Sequence, residues 1–231
     1  MSTGRAAPVT LPAAVLFDMD GTLIDSEGLW LEAEHVVMDG LGASWTPEDQ
    51  AYCLGGPLER VADYMISRSG ASVTRDEVGQ RLLDEMEQRL RSTPLAWQPG
   101  ARALLLECRQ AGVPTALVSA SWSRLIDAVS EQVEADLGLT AFDTVVAGDD
   151  VTNSKPHPEP YLTAAATLGH APQSCLALED SPTGVRAAVA AGCRVIAIPH
   201  LADVQIDGAH LVPTLAGSSL ADLWARAGGA G

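Results

Sequence analysis

Two acidic residues, Asp18 and Asp20, stand directly behind the apolar run AAVLF (13–17), and Asp25 and Glu27 follow within the same stretch VLFDMDGTLIDSE. Carboxylates crowded in this way repel one another unless a cation sits among them. Oxygen donors with no His or Cys beside them are hard ligands of the kind that hold Mg2+. That ion characteristically binds through a couple of carboxylates, several waters and a substrate phosphate. Gly21 permits the chain to turn out of an extended strand, so that Asp18 and Asp20 can both face one crevice. Asp25 and Glu27 are assigned instead to capping and charging the first helix of the segment that follows.

Such a cluster needs a scaffold that delivers side chains to one edge. Brief apolar runs at 13–17, 113–119, 144–148, 174–179 and 193–199 each end at small or acidic residues, which suits strands buried on both faces of a parallel sheet. Helical patterns at 101–111, 123–136, 158–168 and 183–191 alternate with them, the first and last closed by Gly112 and Gly192. The alternation predicts an α/β fold, a doubly wound parallel sheet with a Rossmann-like core. One interval breaks it. Residues 26–97 hold helix-like segments at 26–42, 57–70 and 74–92, the last opening on Thr74, and no convincing strand. The expected organisation is a core domain of 1–25 and 98–231 with a helical cap domain, 26–97, inserted after the first strand. The Gly/Ala-rich tail at 227–231 is expected to fray.

Ligands of open parallel sheets bind beyond the carboxyl ends of the strands. The residues that follow the strands gather Asp18, Asp20, Ser119, a loop leading to Lys155, and Glu179, Asp180 and Ser181 on one edge.

Four segments in this order, DMDGTLIDS, VSAS, SKPHP and LEDSPTG, resemble the four ordered motifs of the haloacid dehalogenase-like hydrolase superfamily across roughly residues 13–200. The helical insert after the first motif is similar to that of the branch containing sugar phosphatases, phosphoglycolate phosphatase and β-phosphoglucomutase. The resemblance implies a nucleophile at Asp18, a general acid/base at Asp20 and phosphate contacts from Ser119, Ala120 and Lys155. It also implies Mg2+ held by Asp18, the main-chain carbonyl of Asp20 and Asp180, with Glu179 close by.

The chemistry asks for the same residue types. A phosphate dianion repels an attacking carboxylate, so a cation, Lys155 and the Ser119 hydroxyl must offset and hold its oxygens. Asp20 must be protonated to help an alcohol leave, a state favoured by neighbouring carboxylates and partial burial. Thr22 is read as orienting Asp20 or packing, Gly184 as permitting close packing, His157 as loop structure, and Asp149 and Asp150 as loop residues either near the metal or solvated.

The implied activity is a Mg2+-dependent phosphomonoester hydrolase acting on a small sugar or polyol phosphate through an aspartyl-phosphate. A phosphomutase is the enzymatic alternative. A non-enzymatic phosphate- or metal-sensing module is the alternative of another class, for which loss of a catalytic acid would be the mark, and no acid is lost. By resemblance, β-phosphoglucomutases carry a His, a Lys and an Arg at places that here fall on Trp30, Leu54 and Leu58, around a turn containing Gly55. An apolar mouth of Trp30, Leu54, Gly55 and Leu58 is therefore expected, with Trp45, Cys53 and Gly56 near it. A distal phosphate site would have to draw on Arg60, Arg68 or Arg124 instead.

Composition excludes other classes. Across 231 residues, 14 Lys+Arg against 30 Asp+Glu give a formal charge of −16, which argues against nucleic acid or an anionic membrane surface as partner. Cys53, Cys108, Cys175 and Cys193 lack metal-ligand spacing and read as buried free thiols in a reducing compartment. No apolar stretch reaches the ~20 residues of a membrane span. The N-terminal region runs straight into the acidic motif, which a signal peptide would have to discard. A cytoplasmic monomer whose partner is a small-molecule phosphomonoester is the expectation.

Overall fold

The computed structural model describes residues 10–53, 57–200, 204 and 206–228. Six parallel strands form one sheet: β1 (Ala14–Phe17), β2 (Thr115–Val118), β3 (Thr144–Val146), β4 (Cys175–Glu179), β5 (Arg194–Ala197) and β6 (Ala209–Leu211), in the order β3-β2-β1-β4-β5-β6. The chain lays β2 and β3 on one side of β1, then returns to lay β4, β5 and β6 on the other. That reversal opens a crevice between β1 and β4, beyond their carboxyl ends.

The strands read as continuous apolar runs because both faces are covered. Val15, Phe17, Leu117, Leu176, Leu178 and Ile196 pack on one face beneath α5 (Ala101–Ala111), α6 (Ser123–Leu137) and α9 (Leu220–Gly228). The alternate residues Ala14, Leu16, Ala116, Val118, Ala177, Val195 and Ala197 face α7 (Glu159–Thr167) and α8 (Pro182–Ala190). Each apolar side chain buried there contributes roughly 1.5–3 kcal/mol when large, and the many alanines on the second face let its helices lie close.

The described residues of 27–92 include four helices: α1 (Glu27–Gly40), α2 (Pro47–Cys53), α3 (Leu58–Ser69) and α4 (Arg75–Ser92). Thr74 and Glu77 form a reciprocal capping box that fixes the start of α4. A separate cluster of Val37, Met38, Trp45, Cys53, Val61, Ala62, Met65, Val78 and Leu82 gives the insert its own core. The strut α4 joins the two bodies: Val78 and Leu82 face the insert, whereas Leu83, Met86 and Leu90 belong to the cluster under the sheet. Ion pairs Arg124–Asp84 and Arg91–Glu131 run along the same α4–α6 seam.

The helices and strands read from the sequence are present, with ends shifted by a few residues. Strand β6, helix α2 and helix α9 are additions. β6 is a short edge strand, AHL, with no apolar run to betray it. Helix α9 overlaps the tail expected to fray, yet Trp224 and Ala227 are buried, so packing orders the chain as far as Gly228; residues 229–231 lie outside the described residues. All four cysteines are buried and free.

Candidate active site

Asp18 is the first residue past β1, and its backbone N–H donates to Leu178 O at 3.0 Å, carrying the β1–β4 pairing one step beyond the strand. Its carboxylate is thereby set beside Glu179 and Asp180 at the end of β4. Lys155 reaches the same point from the loop between β3 and α7. Its Nζ donates to Asp18 Oδ1 at 2.7 Å, Glu179 Oε1 at 2.6 Å and Val118 O at 2.9 Å. An ammonium has three protons, and all three are engaged.

Glu179 is fully buried and accepts further bonds from Tyr161 Oη (2.6 Å) and Ser181 Oγ (3.2 Å). Gly184 makes room for it: a Cβ there would fall 1.9 Å from Glu179 Oε1. Gly21, at φ +82°, does the same on the other side, where a Cβ would stand 2.2 Å from Asp180 Oδ2.

Asp20 is held separately. Ser26 Oγ donates to its Oδ1 at 2.5 Å and Ser121 Oγ to its Oδ2 at 2.8 Å. Ser119 is buried at the end of β2, with its N–H on Val146 O and its Oγ accepting from Ser121 N–H at 3.0 Å. Ala120 is exposed between the two serines, and its carbonyl lies 2.3 Å from where a Cβ on Gly148 would be.

Charge in this crevice is unbalanced. Asp18, Glu179 and Asp180 share one ammonium. Burial first, and then Glu179, raise Asp18 well above the usual carboxylate range, with Lys155 pulling the other way. Burial followed by Asp18 and Glu179 raises Asp180 further still. Burial pulls Lys155 down, but the adjoining Asp18 and Glu179 carboxylates outweigh it, so the ammonium stays charged. One oxygen of each of Asp18, Glu179 and Asp180 lies within 4.8 Å of the others. An all-oxygen donor set carrying excess negative charge, with Gly21 leaving space beside Asp180, fits a hard divalent cation.

Other readings are resolved by contacts. Ser26, not Asp25, occupies the N-cap position of α1, and its hydroxyl serves Asp20 rather than the helix; Glu27 does lie in the first turn. Thr22 is buried with no hydrogen-bond partner for its hydroxyl among the described residues, so it packs rather than orients Asp20. Asp149 caps the start of α6 through Ser123, Asp150 bonds Ala147 N–H, and His157 Nδ1 accepts from Glu159 N–H, three loop-ordering roles.

In the insert, Trp30 and Leu58 are partly buried and pack against the cluster under the sheet. Leu58 also reaches α4, where a Cβ on Gly79 would meet its Cδ2 at 3.6 Å. Leu54, Gly55 and Gly56 lie outside the described residues. Trp45 and Cys53 belong to the insert's interior, Trp45 donating to Glu34 Oε2 at 2.9 Å. Sequence reasoning passed over Ser26, Ser121 and Tyr161 as site residues. The second serine of VSAS was the available signal for Ser121. Ser26 is itself the last residue of DMDGTLIDS, six residues from Asp20, and was legible there; Tyr161 carries no local signal, since its partner Glu179 is distant in the chain.

Comparison with known proteins agrees with this geometry. Residues 15–198 match the family model described as haloacid dehalogenase-like hydrolase. Hexitol phosphatase B of Escherichia coli strain K12 is 35% identical over 218 residues, covering 92% of this chain and 95% of that protein. A probable pseudouridine-5'-phosphatase of Drosophila melanogaster is 31% identical, covering 90% of this chain and 89% of its own. The crystal structure of CbbY from Rhodobacter sphaeroides in complex with phosphate superposes with a TM-score of 0.79 at 28% identity, over 92% of this chain and 99% of that one. No helix among the described residues is long and apolar enough to cross a membrane. The chain belongs to the haloacid dehalogenase-like hydrolase family and is a phosphatase.

Proposed function

We propose that this member of the haloacid dehalogenase-like hydrolase family is a Mg2+-dependent phosphatase of small sugar or polyol phosphates, working through an aspartyl-phosphate on Asp18. The observation that carries the reading is the division of labour between two carboxylates. Asp18 lies against Lys155 Nζ among the buried acids, whereas Asp20 is held apart by Ser26 and Ser121. A nucleophile needs its negative charge screened from an incoming phosphate; a proton donor needs a fixed direction.

In this mechanism Lys155 and Ser119 hold the nonbridging phosphate oxygens while Asp18 attacks the phosphorus in line. Asp20 gives its proton to the departing alcohol oxygen, then takes one from the water that hydrolyses the Asp18 acyl phosphate, returning both residues to their starting state. Asp18, Asp180 and the Asp20 main-chain carbonyl, with Glu179 beside them, would hold Mg2+, which when bound supplies positive charge to offset that of the phosphate. Residues 26–97 act as the cap that closes over a small leaving group, and the working unit is a monomer.

The mutase alternative is disfavoured by where the arginines are engaged. A bisphosphate intermediate needs a second cationic site, but Arg68 is forked onto Asp49, Arg124 pairs with Asp84 and Glu87, and Arg60 lies over the Tyr52 ring with a bond to Cys53 O. Relatives named hexitol phosphatase favour a polyol or sugar phosphate as substrate. The test is phosphate release across a panel of hexitol, hexose and pentose phosphates, with EDTA and Mg2+ readdition. Release restricted to such esters, stopped by EDTA and restored by Mg2+, is expected. Isomerisation of β-glucose 1-phosphate outrunning phosphate release, or full activity after exhaustive chelation, would overturn it.

A further inference from the structure

One large polar side chain in the crevice has no part in the mechanism above. Tyr161, near the start of α7, is wholly buried and is among the largest fully buried side chains of the protein. It touches the catalytic lysine's surroundings twice: its hydroxyl donates to Glu179 Oε1 at 2.6 Å, and its ring centroid lies 5.1 Å from Lys155 Nζ. Glu179 Oε1 is therefore shared between Tyr161 and Lys155, at 2.6 Å from each.

We infer that Tyr161 is a positioning residue for phosphate binding: its hydroxyl satisfies part of Glu179, so that Lys155, which bonds Glu179 and Asp18 at once, is not drawn off Asp18 and the phosphate seat. The inference rests on the phosphatase reading above. Its physical basis is a competition inside a low-dielectric crevice, where an acceptor deprived of one donor attracts the remaining donor more strongly. Lys155 faces Glu179 on one side and Asp18 on the other, at 2.6 and 2.7 Å. Both bonds are made at once, so a stronger pull from Glu179 lengthens the bond to Asp18. Gly184 and Ser181 fix the rest of Glu179, so the Tyr161 hydroxyl is the donor whose loss bears on Oε1. The ring contact is separable from the hydroxyl contact, since Phe keeps the ring.

The experiment is calorimetric titration of the Mg2+-loaded protein with inorganic phosphate, alongside steady-state kinetics, for wild type, Tyr161→Phe and Ala164→Gly. Ala164 is buried on the same helix and touches neither Glu179 nor Lys155 by hydrogen bond, so its variant reports plain loss of packing. Tyr161→Phe is expected to weaken phosphate binding and raise KM together, about five- to twentyfold, with a smaller fall in kcat, whereas Ala164→Gly lowers Tm and leaves the phosphate affinity alone. A folded Tyr161→Phe variant with wild-type phosphate affinity and KM would overturn the inference. So would Ala164→Gly weakening phosphate binding as much.

A second measurement needs no substitution. In chain labelled with 3-fluorotyrosine, the Tyr161 19F resonance must shift when phosphate saturates the Mg2+-loaded protein, and an unmoved resonance contradicts the inference. Both binding readouts stand even if no phosphomonoester in the panel is hydrolysed, an outcome that would instead strike the proposed function.

Discussion

The crevice beyond β1 and β4 and the helical insert each bury acidic side chains, and Asp49 of the insert is treated in the opposite way to those of the crevice. Asp49 of the insert is surrounded by donors: Tyr64 Oη and Arg68 Nε at 2.7 Å on Oδ1, with Arg68 Nη2 at 3.1 Å and the Thr46 N–H and hydroxyl at 3.0 and 2.9 Å on Oδ2. The Arg68 and Tyr64 bonds hold its carboxyl far below the usual range. In the crevice, Asp18 and Asp180 are pushed up by burial and by their acidic neighbours. Glu34 of the insert departs from that contrast: burial raises it to about 7, and its indole partner offsets only part of that. The satisfied carboxylate, Asp49, ties α2 to α3 within the insert. The carboxylates in the crevice repel one another, a stability cost that a bound cation would relieve and that is accepted for function.

Removing a crevice carboxylate and removing the insert's carboxylate should therefore have opposite signatures. Asp18→Asn is expected to cut turnover by at least about a thousandfold, because an amide is a poor nucleophile, while Tm at pH 8 stays at or above that of wild type. Turnover near the wild-type level, or a fall in Tm, would break the contrast. The hydroxyls on Asp20 come next. Ser26→Ala and Ser121→Ala each remove one hydrogen bond that orients Asp20 and should each lower kcat by about tenfold, with KM less affected. A double variant no worse than either single one would show that only one hydroxyl matters.

Asp49→Asn should lower Tm at pH 7 while folded protein keeps its kcat. Because folding depresses the Asp49 pKa, its stabilisation is present above the ordinary carboxylate pKa and is lost as pH falls through the depressed value. The Tm gap to wild type should therefore close only in strong acid. A gap that stays constant down to such pH would show that packing, not charge, is what Asp49 contributes.

The smallest effect belongs to Glu34. A raised folded-state pKa means the folded chain binds more protons than the unfolded one between about 4.5 and about 7, so stability falls as pH rises through that window. Glu34→Gln should gain about 1–2 kcal/mol at pH 8 and nothing near pH 4.5. Urea melts at the two pH values decide it.

What the sequence disclosed follows the same division. Asp18, Asp20, Lys155, Glu179 and Asp180 were legible because each sits at or just past a strand end, or on the loop after one, so local order already implies convergence on the sheet's switch point. Tyr161 reads as one more apolar position of a helix, and its partner Glu179 is brought to it only by the tertiary fold; Ser26, six residues from Asp20 within the same motif, was legible and overlooked. Trp45 illustrates the converse. From the sequence it is expected near the mouth, yet its indole donates to Glu34 within the insert. Strand β6 was invisible because an exposed edge needs no apolar run.

Asp18 carrying the phosphoryl group while Asp20 moves the protons is the central claim. The direct test is to mix the Asp20→Asn variant with Mg2+ and an aryl phosphate, whose leaving group needs little protonation, quench in acid and digest for mass spectrometry. An added phosphoryl group is predicted on the peptide containing Asp18, persisting because the amide that replaces the Asp20 carboxylate cannot activate water. No such adduct is predicted when Asp18→Asn is combined with Asp20→Asn. An unmodified Asp18 peptide alongside a burst of released aryl alcohol, or a phosphoryl group found on any other residue, would contradict the claim.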